Sequence, residues 1–217
     1  VISTTTSSIS GEPTPTTTTT TPPSPTPSLV AYYPFSGNAS DGSIFGNNGI
    51  VHGATLTADR YGNQNSAYYF DGIDDYIVIP DSNSLDLTSS LTLAAWIKLD
   101  SFNNCNPNVL CKRYPIYEPY RLELTTGSTA LVISNPSYYR EFPNIATAVP
   151  LNQWVHVAIT FNSGNLNFYY NGTLMGSQTS TITNLKTTGG ELYIGTRRID
   201  QPGHNNFFKG IIDEVRI

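Results

Sequence analysis

The chain has 217 residues, a formal net charge of −5, and only 12% charged residues beside 12% aromatics. A charged fraction about half that of an ordinary soluble domain excludes a coiled coil or a helical bundle built on Glu/Lys pairs. Eleven basic residues against sixteen acidic ones exclude nucleic-acid binding by phosphate neutralisation, and no run approaches the ~18 consecutive apolar residues of a membrane-spanning helix.

From Val1 to Ser28 nearly every residue is Thr, Ser or Pro. Such a segment cannot bury enough apolar surface to offset ~1–2 kcal/mol of backbone entropy per ordered residue, so it reads as non-globular. Its prolines favour a semi-rigid polyproline II spacer. The hydroxyls of Thr16, Thr17, Thr18, Thr19, Thr20 and Thr21, close to proline, have the composition of an O-glycosylated stalk, with a plain linker as the alternative. The sequence opens on Val1 without a basic or apolar leader, so any export signal is expected to have been removed already.

Residues 29–217 read as one domain of short strands, expected at 30–35, 49–54, 67–70, 76–79, 91–99, 121–124, 130–133, 154–161, 167–170, 191–194 and 208–217. Leu91, Leu93, Ala95, Ile97 and Leu99 alternate onto one face, as do Val155, Val157, Ile159 and Phe161. Trp96 and Trp154, in the same two runs, are expected to pack rather than to serve as platforms. Asp71-Gly72, Ser163-Gly164, Asn171-Gly172 and Gly189-Gly190 supply turns. No run of ten residues carries a 3.6 period, so the domain is expected to be all β, antiparallel, and built as two packed sheets.

Several polar-aromatic stretches lie between the expected strands, where binding residues concentrate. The segment 114–120 reads as a loop carrying Tyr114, Tyr117 and Tyr120. Tyr139, Arg197 and Asn205 sit in similar stretches, and together these six are candidates for contacting a glycan. The alternative is that the tyrosines only cover a sheet face. Cys105 and Cys111 close a short loop, and a disulfide between them is expected in an exported chain, with two reduced buried thiols as the alternative. Asn38-Ala39-Ser40 and Asn171-Gly172-Thr173 are N-glycosylation sequons at Asn38 and Asn171.

A series of phrases in order resembles the laminin G-like (LamG, pentraxin-like) jelly-roll domain of the concanavalin A-like lectin/glucanase superfamily. They are Leu29 to Phe35, Asp41 to Gly49, Ala67 to Ile77, Leu93 to Lys98, Asn152 to Ala158, Tyr169 to Gly172, Leu192 to Gly195 and Phe208 to Ile217. The resemblance implies a two-sheet jelly roll whose first and last strands pair. It also implies a structural Ca²⁺ held by Asp41, Asn47, Asn48 and Asp213, since calcium needs six to eight oxygens from such a loop and a distant carboxylate. Residues 42–45 depart from the family's loop, and an Asx-type turn is the other reading of Asp41 and Asn47-Asn48. Asp71, Asp74, Asp75 and Asp81 read as a hairpin rather than a cation site. The Glu-x-Asp-x-x-Glu of the fold's glucanases is absent, and Asp213-Glu214, adjacent on one strand, should point to opposite faces. His52, His156 and His204 stand apart from any nucleophile motif. The resulting expectation is a non-catalytic, secreted or surface-displayed adhesion or carbohydrate-binding module. Its partners would be glycans, cell-surface or matrix components. A glycosylated fibre subunit that assembles with its own copies is one alternative, and a polysaccharide-active enzyme of the same fold is the other.

Overall fold

The computed structural model describes residues 29–102, 106–114, 117–126, 128–135, 140–141, 144–145, 148–187, 189–197 and 206–217, with the backbone alone for Tyr114, Tyr117, Leu131, Arg140 and Glu141. Among these the only helical turn is Asn83–Leu85. The strands are β1 (Tyr32–Tyr33), β2 (Ile50–His52), β3 (Thr55–Thr57), β4 (Ala67–Asp71), β5 (Tyr76–Ile79), β6 (Ser90–Leu99), β7 (Asn108–Tyr114) and β8 (Tyr117–Leu124). They continue with β9 (Thr129–Ser134), β10 (Arg140–Glu141), β11 (Asn144–Ile145), β12 (Trp154–Asn162), β13 (Asn165–Tyr170), β14 (Thr173–Thr179), β15 (Leu192–Ile194) and β16 (Lys209–Arg216).

Two antiparallel sheets form a sandwich. The first runs β14-β13-β12-β6-β16-β4-β3 with β1 also on β16, and the second runs β10-β9-β8-β7-β15-β5-β2 with β11 also on β9. The first sheet follows the alternation written in the sequence. Register sets Val155 against Ile97, Val157 against Ala95 and Ile159 against Leu93, and all six are buried. Each fully buried aliphatic or aromatic side chain contributes about 1.5–3 kcal/mol. Phe70, Phe161, Phe168 and Phe208 join the same core. Trp96 and Trp154 are on the other face of these strands and are half-buried, so they lie outside the core and not within it.

The hairpin turns are as expected. Ser163-Gly164 and Asn171-Gly172 have φ of 47° and 94°, and of 47° and 79°, both residues positive as a type I′ turn demands. Tyr32 and Tyr33 pair with Arg216 and Val215, and the Val30 amide donates to the Ile217 carbonyl at 2.8 Å, so the first and last strands are neighbours. Among the described residues no helix is long and apolar enough to cross a membrane.

The second sheet departs from the sequence reading at β7 and β8. The segment expected as a loop is a hairpin, with Tyr114 opposite Tyr117 at its tip. Tyr120 is fully buried, and its hydroxyl donates to the Leu85 carbonyl at 2.9 Å. It is a core residue and no glycan contact. Opposite it, Lys112 is also fully buried, with its ammonium 2.6 Å from Asp81 and donating to the Gly190 carbonyl. Asp81 therefore serves Lys112 and not the acidic turn. Cys111 is a free, buried thiol, and Cys105, with which a disulfide was expected, lies outside the described residues.

Gly195 closes β15 at φ +85°, where an added Cβ would stand 2.5 Å from the Phe70 ring. Both the left-handed backbone and the clash oppose a side chain. Gly195→Ala is expected to cost about 1–3 kcal/mol in chemical denaturation. An unchanged midpoint would contradict this packing.

Candidate functional site

The strand β8 carries Glu118, Arg121 and Glu123 in a chain poor in charge. Tyr120, Leu122 and Leu124 point into the sandwich, which leaves Arg121 and Glu123 on the outer face of the second sheet. Glu118 joins them despite its parity, beside a register irregularity between Lys112 and Tyr114. Arg121 and Glu118 are each 3% exposed and Glu123 8%.

These groups form one continuous relay. The Arg197 Nε donates to Glu118 Oε1 at 2.5 Å, and Arg121 donates to Glu118 Oε2 at 2.5 Å. Arg121 also donates to Glu123 Oε2 at 2.7 Å, and the Asn106 side-chain amide donates to Glu123 Oε1 at 2.8 Å. The Asn106 carbonyl in turn accepts from Asn108 at 2.9 Å and Asn206 at 3.2 Å. Arg197, 24% exposed, and Asn106, exposed, are the ends that reach solvent. Charge-assisted bonds of this length fix side-chain geometry as well as charge. The relay therefore holds a guanidinium and an amide, two hydroxyl-reading groups, in a set arrangement.

Cys111 pairs with Arg121 in register. Burial first, and then the Glu118 charge, push its thiol up to about 12, with Arg121, Arg197 and Arg113 opposing. A thiol so placed is a poor nucleophile. Iodoacetamide is expected to modify Cys111 only after unfolding, as read by peptide mass spectrometry. Prompt labelling of the native protein would show that the Cys111 thiol is reachable from solvent.

The outer face of the first sheet is organised differently. Arg60 is stacked between Tyr61 and Trp96, at 4.4 and 4.5 Å from the ring centroids. It bridges Asp213 at 3.2 Å and Glu214 at 3.0 Å. Asp213 and Glu214 both reach it because Glu214 has φ 47° within a bulge that skips register between Asp213 and Arg216. Strict alternation, which would have set the two acids on opposite faces, is broken there.

Of the expected calcium set, Asp41, Asn47 and Asn48 are tied together in one loop, and Asp213 is paired with Arg60. Asp41 accepts from the amides of Tyr32, Ser43 and Asn47, each at 2.8 Å, and from the Ser43 hydroxyl at 2.7 Å. Asn48 Oδ1 accepts from the Asp41 amide, and Asn47 donates to the Val30 carbonyl. This is a braced Asx-type loop whose carboxylate oxygens are taken by protein donors, while Asp213 is served by Arg60. These residues do not fit a six-to-eight-oxygen calcium shell. The acidic turn is the better fit, because ligand oxygens of Asp71, Asp74 and Asp75 lie within 4.8 Å of one another and could hold a metal ion. Burial raises the Asp75 carboxyl, and the charges of Asp71 and Asp74 add to it, while the Asp71 amide opposes.

Of the glycan candidates, Arg197 belongs to the relay and Tyr120 to the core. Tyr139 and Asn205, the side chains of Tyr114 and Tyr117, and Thr16 to Thr21 lie outside what the structure describes. Asn38 and Asn171 are exposed, with their side-chain oxygens accepting from the amides of Ser40 and His156. Glu118, Arg121, Glu123 and Asn106 were not singled out by the sequence. Their signal was charge of both signs, spaced Glu-x-x-Arg-x-Glu, inside an otherwise apolar and aromatic run.

The two antiparallel sheets form a sandwich with a polar network on one outer face. The sequence profile of a laminin G family in the Concanavalin A-like lectin/glucanases superfamily matches residues 70–217, and the chain belongs to this superfamily. No match is found among curated proteins. Domain 4 of AbnA, an extracellular GH43 arabinanase from Geobacillus stearothermophilus solved with arabinotriose, is 21% identical with a TM-score of 0.68, covering 87% of this chain and 91% of that one. The binding domain of botulinum neurotoxin serotype G is 12% identical at TM-score 0.68, and that of Paraclostridial Mosquitocidal Protein 1 is 15% identical at 0.69. The chain spans about half the length of these two toxin domains, 47% and 48%. At such identities the likeness is one of fold.

Burial pushes the Asp213 carboxyl up to about 6 from its ordinary 3.8, with the Glu214 and Asp59 charges adding and Arg60 and the Glu214 amide opposing. A raised folded-state value favours the folded protein at low pH, and that contribution is lost as pH rises through about 6. Thermal melts across this window should show a declining contribution that Asp213→Asn removes. An identical pH profile in the variant would contradict it.

Proposed function

We propose that the domain is a non-catalytic carbohydrate-binding module, secreted or displayed at a cell surface, that takes its ligand at the outer face of the second sheet. The observation that carries this reading is the relay from Arg197 through Glu118, Arg121 and Glu123 to Asn106. It presents two planar hydrogen-bonding groups already ordered, so ligand binding does not bear the cost of immobilising them. The Thr/Pro-rich segment 1–28 is read as a spacer, glycosylated on its threonines, that holds the module away from its anchor.

The same relay favours binding over hydrolysis. Glycoside hydrolysis requires one carboxyl to deliver a proton and another to attack or to activate water. Here both oxygens of Glu118 are bound by arginines, and those of Glu123 by Arg121 and Asn106. Neither carboxylate has an oxygen left to do that work.

Arg197→Ala is expected to weaken oligosaccharide binding about 10–100-fold, the equivalent of one charge-assisted hydrogen bond lost. Isothermal titration after a glycan-array screen measures this, with a melting curve of the variant to show that it is folded, since Glu118 Oε1 loses its Arg197 partner. Full binding by the variant would remove this site, and release of reducing ends from a bound polysaccharide would restore the enzyme reading. We assign the suspected calcium to the acidic turn, whose three carboxylates could hold an ion, rather than to the loop and last strand that the family resemblance implied. Its addition should raise the melting temperature, and Asp74→Asn should cancel the rise. A rise that survives Asp74→Asn would put the ion elsewhere.

A further inference from the structure

A cavity that shares no residue with the relay opens at the rim where β5 ends. It holds about 330 Å³ between the loop 45–48 and residues 80–82, within the size range of small-molecule sites. Its two walls are tied together by hydrogen bonds. Asp41 accepts from the Asn47 amide at 2.8 Å, and the Tyr33 hydroxyl donates to the Asn47 carbonyl at 2.7 Å. The Asn47 side-chain amide donates to Ser84 Oγ at 2.9 Å, and the Ser84 and Ser82 hydroxyls meet at 2.9 Å. A site ordered in advance relieves the ligand of the cost of assembling it.

The lining combines an apolar surface with one acceptor and one donor. Phe45, 43% exposed, and Pro80 supply the apolar part. The Asp81 side chain is 36% exposed, with Oδ1 2.6 Å from the buried Lys112 ammonium, which leaves Oδ2 to accept. Asn48 is exposed, and its Oδ1 accepts from the Asp41 amide at 2.9 Å, which leaves Nδ2 to donate. A cation gains little from Asp81, because Lys112 is already paired with it, and the Asn48 Nδ2 opposes one. Asp86, the other acid near Lys112 at 3.6 Å, does not line the cavity. The complement of such a lining is a neutral, polyhydroxylated ring. Its C–H surface lies against Phe45, while one hydroxyl donates to Asp81 and another accepts from Asn48.

We propose that this cavity is a second carbohydrate site, sized for one neutral sugar unit and separate from the outer face of the second sheet. The proposal rests on the carbohydrate reading of the module and adds a site with its own residues and ligand class. The loop that the family resemblance reads as calcium-binding serves here as a wall of that site. Its bracing by Asp41 keeps Phe45 and Asn48 in place beside Asp81.

The test is backbone-amide NMR of the full chain titrated with arabinose, galactose and glucose, and with glucosamine as the cationic comparison. At least one neutral sugar should move the amides of residues 45–48, 81 and 82 saturably at millimolar concentration, with no dependence on salt. Phe45→Ala should weaken that binding about 10-fold. Asn48→Asp keeps the oxygen that accepts from the Asp41 amide and turns the donor into an acceptor, so it should also weaken the neutral sugar. Both positions are exposed, and a melting curve of each variant shows that it is folded. Shifts at 45–48 that persist unchanged in both variants would overturn the site. Tighter, salt-sensitive binding of glucosamine, strengthened by Asn48→Asp, would overturn the neutral ligand class. Sugars, or arabinotriose, that move only residues 118–123 and 193–197 would overturn the second site and leave the relay intact. Silence throughout the chain with every saccharide would overturn the carbohydrate reading and the cavity site with it.

Discussion

The guanidinium of Arg121 is the fixed point of the second sheet's outer face. It is 3% exposed and bridges two carboxylates that are themselves buried. Burying such a set contributes little net stability, because desolvation consumes most of the Coulombic gain. Removing one member is another matter, with a cost of about 3–5 kcal/mol from the charge left uncompensated. The network is therefore better understood as a positioning device than as a source of stability. Through Glu118 it orients Arg197, and through Glu123 it orients Asn106, so the two solvent-facing groups are set by one buried side chain.

The two sheets divide the work. The first is a regular alternating sheet, and its outer face is tied together by its own cation, with Arg60 held between Tyr61 and Trp96 and paired to Asp213 and Glu214. That arrangement links the loop before β4 to the last strand. The second sheet is buried on both sides through β7 and β8, and it carries its charges inward as Lys112 and outward as Arg121. The proposed binding groups of the second sheet lie beside a register irregularity of β7 and β8.

This division also explains what could be read from the sequence. In β6 and β12 one face is core and the other is half-exposed, so a period of two is written plainly in residues 91–99 and 154–161. The turn glycines at 164 and 172 were equally legible, because only a positive φ accounts for their placement. In β7 and the first part of β8 both faces are covered, so no polar-apolar alternation marks residues 108–119, and buried Lys112 and Glu118 resemble loop residues. The tyrosines of that segment suggested a binding loop, yet Tyr120 is core and the charged residues between the aromatics form the candidate site. The joint reach of Asp213 and Glu214 to Arg60 depends on a bulge, which adjacency in sequence does not disclose.

The most direct test of this account is mapping of backbone amide shifts by NMR as a bound oligosaccharide is titrated in. The account predicts perturbations at residues 106–113, 118–123 and 193–197, with the outer face of the first sheet, around Tyr61, Trp96 and His156, unmoved. Perturbations centred on Tyr61 and Trp96, with Arg121 and Arg197 silent, would contradict it.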